Sequence, residues 1–183
     1  MTKTKKIAIF ISGKGSNAKR LVEYFSEHSD IEIAIIVSTK SNKIIQSFCE
    51  DYNIEYIETS NVVDSIKNKS LDLIVLAGYL KLIPEKLIDC FTNRIVNIHP
   101  SLLPKFGGKG MYGRKVHQAV IESGEKESGI TIHYVDKNYD EGEIIKQLKV
   151  NVSETDTPES LEEKIHQLEL DNFCHIIEQI LCK

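Results

Sequence analysis

The chain has 183 residues, 41% hydrophobic and 27% charged, enough for one substantial core and hence for a single domain over residues 1–183. A net charge of -4 gives no basic face to a phosphate backbone or an anionic bilayer, so general nucleic-acid and membrane-surface binding are excluded and an anionic ligand must be held locally. No apolar run approaches the ~20 residues that span a bilayer. Cys49, Cys90, Cys174 and Cys182 lack metal-ligand spacing, and nothing at the amino end resembles a secretory signal; a cytoplasmic protein with reduced thiols and no metal is expected.

Behind a short basic start, residues 7–12 (IAIFIS) form the apolar, β-branched run of a strand covered on both faces, placed centrally in a parallel sheet. Gly13 and Gly15 break it, Ser16 or Asn17 stands where a helix is capped, and Ala18, Leu21, Val22 and Phe25 recur at helical spacing. The alternation continues with a strand at 31–38, a helix at 43–52, a short strand at 54–57, a helix at 61–68 and a buried strand at 71–77. Such spacing requires right-handed crossovers, and so predicts an α/β fold with a doubly wound, mostly parallel sheet whose ligands gather at the strands' carboxyl ends.

The second half changes character after a strand at 95–98. A loop rich in Pro and Gly covers 99–113, a helix follows at 114–123, and two alternating runs at 129–135 and 143–152 read as a hairpin with an enlarged loop at 136–142. This hairpin gives the sheet an antiparallel edge. Thr157 and Pro158 start a long final helix that Leu161, Ile165, Leu168, Phe173, Ile176, Ile177 and Ile180 carry to the end.

Four places carry residues suited to chemistry. The turn Gly13, Lys14, Gly15, Ser16, Asn17 can hold a phosphate dianion on backbone amides at a helix start, although it is neither a P-loop nor a complete dinucleotide fingerprint. Asn97 and His99 lie two apart at a strand end, so both side chains project to the same side; an amide donor beside an imidazolium suits an oxyanion. Asp140, in the hairpin loop, gains meaning if it lies near His99, where a carboxylate favours the charged imidazole. Glu169 stands on the face of the last helix that should be apolar, which calls for a cationic or amine partner. Each has a plainer reading: a connecting turn, a structural histidine, a turn-capping aspartate, a position at the edge of a face.

In combination the motifs ISGKGSN (11–17), LAGYLKLI (76–83), NIHPSLLP (97–104) and YDEG (139–142), with the late helix carrying Glu169, resemble the phosphoribosylglycinamide formyltransferase family over nearly the whole chain. The resemblance implies a Rossmann-like sheet, 10-formyltetrahydrofolate as donor and glycinamide ribonucleotide as acceptor in purine synthesis. It implies a phosphate gripped by Gly15, Ser16 and Asn17, the glycinamide part met by Glu169, and Asn97, His99 and Asp140 as the catalytic triplet. The folate would contact Leu80, Lys81, Leu82, Ile83, Asn97, Asp136, Lys137, Asn138, Tyr139 and Asp140. Residues 1–96 would form the phosphate-binding half and 97–183 the catalytic and folate-binding half, in a monomer or homodimer. The chain departs from the family in residues 106–113, whose four glycines make a long connection and suggest a mobile lid, and in stopping soon after the last helix.

Rival readings share parts of this pattern. Methionyl-tRNA formyltransferases and formyltetrahydrofolate hydrolases resemble the chain around Asn97, His99 and Asp140, but carry a carboxyl-terminal domain and an amino-terminal regulatory domain, respectively, for which this chain has no room. A non-catalytic nucleotide-binding module would use the glycine turn and leave the other three residues without a shared purpose.

Overall fold

Alternation along the first strand decides how the layers form. The computed structural model describes residues 4–182. In chain order these give β1 (Lys5–Ile11), α1 (Ser16–Ser26), β2 (Ile31–Ser38), α2 (Lys43–Asp51), β3 (Glu55–Glu58), α3 (Val62–Ile66), β4 (Leu73–Leu76), α4 (Glu85–Cys90), β5 (Ile95–His99), α5 (Arg114–Glu122), β6 (Glu127–Tyr134), β7 (Ile144–Asn151) and α6 (Pro158–Leu181). Ile7, Ile9 and Ile11 of β1 share a buried core with Leu21, Val22 and Phe25 of α1 and with Phe173 and Ile177 of α6. Ala8 and Phe10 fall in a second core with Val62 and Ile66 of α3 and Leu87 of α4. Apolar cover on both faces is why β1 reads as an unbroken apolar run.

The sheet has seven strands in the order β3-β2-β1-β4-β5-β6-β7. Pairing is parallel from β3 through β5 and antiparallel for β5 with β6 and β6 with β7, the predicted architecture. Strand order reverses between β1 and β4, which opens a crevice at their carboxyl ends. There the Ser12 amide donates to the Gly78 carbonyl at 3.0 Å, and the Leu80 amide to Ser12 Oγ at 3.1 Å, tying the glycine turn to the loop after β4.

Three local features differ from expectation. Gly15, not Ser16 or Asn17, is the N-cap of α1, with φ of 77° and no side-chain cap. A Cβ at Gly15 would lie 2.6 Å from Ile45 Cδ1, so only glycine turns the chain here. The short α4 was not anticipated; six residues are too few for a periodic signal, and only Pro84 with Glu85 behind it marks the start. α3 is also shorter than expected. The final helix starts as predicted, with Thr157 accepting from the Ser160 amide, Ser160 returning the bond to the Thr157 amide, and Pro158 in the first turn.

The β6–β7 ladder leaves no room at Gly129, where an added Cβ would run into the Leu148 backbone carbonyl. Gly129→Ala is expected to lower stability by about 1–3 kcal/mol, read as a reduced thermal midpoint.

Candidate active site

The end of β1 and the start of α1 form one wall of a cavity of about 630 Å³, within the size range of small-molecule sites. Gly13, Lys14, Gly15, Ser16 and Asn17 all line it. Gly15 provides no side-chain cap and the first turn of α1 carries no acidic residue of its own, so no capping side chain occupies the backbone amides of the helix start. Asn17 is committed elsewhere: its Nδ2 donates to Glu169 Oε2 at 2.8 Å, and its Oδ1 is buried with no partner among the described residues. The carboxylate on the inner face of α6 is thus met by an amide from the glycine turn.

β5 delivers Asn97 and His99 to the same cavity, and the turn after β6 brings Asp140. His99 Nδ1 lies 3.4 Å from Asp140 Oδ2, and Asn97 Nδ2 lies 3.4 Å from Asp140 Oδ1. Asp140 reaches this place with a positive φ of 59°, a backbone state that non-glycine residues seldom adopt. Phe106 shares it, at 57°, and its carbonyl accepts from His99 Nε2 at 2.8 Å. The Gly108 amide donates to Asp140 Oδ2 at 2.9 Å. A Cβ on Gly107 would sit 3.2 Å from the Asp140 Cβ and 2.5 Å from Leu103 Cδ2, so this glycine lets the loop lie against the carboxylate. The part of 106–113 nearest the site is therefore tied to it, while Gly110, Met111, Tyr112 and Gly113 line the cavity.

Two opposing influences act on His99. Both ring nitrogens of His99 face acceptors, which favours the imidazolium, yet burial outweighs the Asp140 carboxylate and the Phe106 carbonyl and pushes the ring below its ordinary value of 6.5. Asp140 favours the charged ring, as expected, against the larger opposing effect of burial. For Asp140 burial pulls upward, but His133, His99 and the Gly108 amide together hold the carboxyl below its ordinary range. His117 on α5 is 2% exposed and lowered by burial, and its Nδ1 has no hydrogen-bond partner among the described residues. Opposite it, the Glu169 carboxylate, 3.5 Å from His166 Nδ1, raises His166.

The other singled-out residues divide. Leu80 lines the main cavity. Lys81, Leu82, Ile83, Asn138 and Tyr139 border a smaller recess of about 50 Å³ that shares Asn97, Tyr139 and Asp140 with it. Leu80 and Leu82 are 42% and 47% exposed, whereas Ile83 belongs to the second core. Asp136 and Lys137 line neither space: Asp136 accepts from the Asn138 amide, and Lys137 pairs with Glu85 at 3.7 Å.

Several site residues escaped the sequence reading. His133, from β6, is 2% exposed, with Nε2 3.0 Å from Asn97 Nδ2 and 3.6 Å from Asp140 Oδ1. Its signal was its place two residues before Val135 in a run facing the β5 pair. Glu159, Glu162 and Glu163 join Glu169 along the cavity's α6 side, and nothing in a solvated helix face announces that. Among the described residues no group of three or more His, Cys, Asp or Glu is placed to hold a metal ion, and no helix is long and apolar enough to cross a membrane.

Comparison with known proteins agrees across nearly the whole chain. The chain is 41% identical over 175 residues to "Phosphoribosylglycinamide formyltransferase, chloroplastic" of Arabidopsis thaliana, covering 88% of this chain and 60% of that protein. It is 35% identical over 190 residues to the phosphoribosylglycinamide formyltransferase of Bacillus subtilis, covering 97% and 95%. The crystal structure of the enzyme of that name from Bacillus halodurans superposes with a TM-score of 0.88 at 33% identity, covering 98% of this chain and 96% of that one. The chain thus spans about 60% of the length of the plant relative it matches, and nearly all of the bacterial ones. A family model described as formyl transferase matches residues 5–177, and the chain belongs to that family.

Proposed function

We propose that the protein transfers the formyl group of 10-formyltetrahydrofolate to the amine of N1-(5-phosphoribosyl)glycinamide in purine biosynthesis. The observation that carries this reading is the convergence of Asn97, His99 and Asp140 on a cavity that the glycine turn also lines. The names of the relatives support it. Gly15, Ser16 and Asn17 take the phosphate, since backbone amides at an uncapped helix start favour an anion. Glu169 receives the glycinamide end. The Asn17 amide that holds this carboxylate keeps it directed inward until the substrate arrives. The pterin lies by the recess between Leu80, Lys81, Leu82 and Ile83 on one side and Asn138, Tyr139 and Asp140 on the other. Residues 1–96 serve the phosphate, residues 97–183 the chemistry and the folate, and the free cysteines suit the reducing cytoplasm.

Transfer is direct. The substrate nitrogen attacks the formyl carbon, a tetrahedral centre forms with its charge on oxygen, the bond to the folate nitrogen breaks, and the proton lost by the amine ends on that nitrogen. Asn97 Nδ2 donates to the oxyanion. His99 supplies positive charge beside the oxyanion: burial disfavours the imidazolium, while Asp140, the Phe106 carbonyl and the growing negative charge favour it during the step. Seating both reactants in one crevice supplies the orientation. A folate hydrolase would use the same three residues with water as acceptor, and the acidic wall with the glycine turn favours a phosphorylated amine instead.

Incubating the purified protein with 10-formyltetrahydrofolate and either glycinamide ribonucleotide or water, and following folate release, is expected to show release only with the ribonucleotide. Release in water alone would assign a hydrolase, and none in either a binder. His99→Ala and Asp140→Asn should each reduce kcat by roughly a hundredfold or more with much smaller changes in KM; steady-state kinetics that place the loss in KM would remove both from the transition state. The buried histidines also set an acid limit on stability. His99 and His117 both sit below 6.5 in the folded chain, so the unfolded chain binds more protons on acidification. Their contribution is complete above pH 6.5 and declines as pH falls below it toward the folded values. Urea midpoints at pH 7.5 and about 5.5 should fall with acidification, and less steeply in His117→Asn.

A further inference from the structure

We infer that His133 is a positioning residue that acts through Asn97 by fixing which end of the Asn97 amide faces the cavity; the inference deepens the transfer reading and rests on it. His133 stands where the β6–β7 register slips by one residue, with Ile132 opposite Lys146 and His133 opposite Ile144. Its Nδ1 is 2.8 Å from the backbone carbonyl of Tyr134, which can only accept, so Nδ1 carries a proton. In the neutral ring Nε2 is then a bare lone pair, beyond hydrogen-bond distance of Asp140 Oδ1 at 3.6 Å, and the carboxylate relies on its other neighbours. At 3.0 Å from Nε2 lies the Asn97 amide, and a lone pair is satisfied by the NH2 end alone.

Asp140 imposes the same orientation from another side. Its Oδ1 is 3.4 Å from Asn97 Nδ2, and a reversed amide would turn an oxygen toward that carboxylate. Two acceptors therefore address one amide nitrogen. One of its protons is held by His133 at normal hydrogen-bond length, while the other has only the long contact to Asp140 and remains available to a carbonyl oxygen entering the cavity. Were Nε2 the protonated nitrogen, the amide would rotate and present its own oxygen where negative charge develops. That reversal removes an oxyanion donor and adds a repulsion in its place.

The test combines kinetics with a spectrum. His133→Phe keeps the ring volume and removes the acceptor; kcat should fall roughly tenfold to a hundredfold while both KM values stay within about twofold. His133→Gln, whose side-chain carbonyl can accept from Asn97, should recover part of that loss, and in an Asn97→Ala background the Phe substitution should change kcat little. Undiminished kcat in His133→Phe, a loss confined to KM, or full additivity with Asn97→Ala would overturn the inference. If the Phe variant does not fold, the ring-nitrogen chemical shifts of His133 in the wild-type protein decide: a protonated Nδ1 with a bare Nε2 supports the orientation, and the opposite tautomer or a charged ring at neutral pH refutes it. A wild-type protein that transfers no formyl group would sink the transferase reading, while this spectrum would still report the amide's direction.

Discussion

Withdrawing the Asp140 carboxylate from water is disfavoured by roughly several kcal/mol unless its oxygens are paired and hydrogen-bonded, and the surrounding structure is arranged to meet that need. The Gly108 amide donates to Oδ2 and Asn97 Nδ2 lies 3.4 Å from Oδ1, with the His99 and His133 rings 3.4 and 3.6 Å from the carboxylate. These neighbours come from the 106–113 loop, from β5 and from β6, so one buried charge ties together three stretches of chain. The backbone accommodates it by strain: Asp140 and Phe106 both take left-handed conformations, and Gly107 gives up a side chain to let the loop close in. Positioning the polar groups of the site and satisfying this carboxylate are the same structural event.

The cavity brings backbone amides of a helix start and a group of carboxylates into one space. The start of α1, with Lys14 beside it and no acid in its first turn, and Glu159, Glu162, Glu163 and Glu169 of α6 line the same space, and Asn17 joins the two elements by donating to Glu169 at 2.8 Å. A chain of net charge -4 can hold an anion in this way without a basic surface, because the field is shaped locally by backbone amides and not by the protein's total charge. Arg114 of α5 pairs with Glu159, which places a cation at the rim and leaves Glu169 deeper inside, against Asn17.

Much of the fold was legible because periodicity is local. The unbroken apolar run of β1, the 3.6-residue recurrence in α1 and α6, and the Thr157–Pro158 start each follow from the chain's own geometry, and strand–helix alternation then leaves a doubly wound sheet as the natural arrangement. α4 was lost because six residues carry no period, and the cap of α1 was assigned to the wrong residue because the decisive contact, between Gly15 and Ile45, is thirty residues away in the chain.

What the amino-acid sequence determined by itself was every strand and all the helices but the short α4, the crevice at the strands' carboxyl ends, and the candidacy of Asn97, His99, Asp140, Glu169 and the glycine turn. Tertiary structure alone decided that His133 joins them, that the 106–113 loop supplies an acceptor to His99 and a donor to Asp140, and that burial outweighs a neighbouring carboxylate in setting the charge of His99. The physical reason is distance along the chain. Periodicity and capping are written within a few residues, whereas desolvation and hydrogen-bond partnership depend on which remote groups the folded chain brings within about 3 Å of one another.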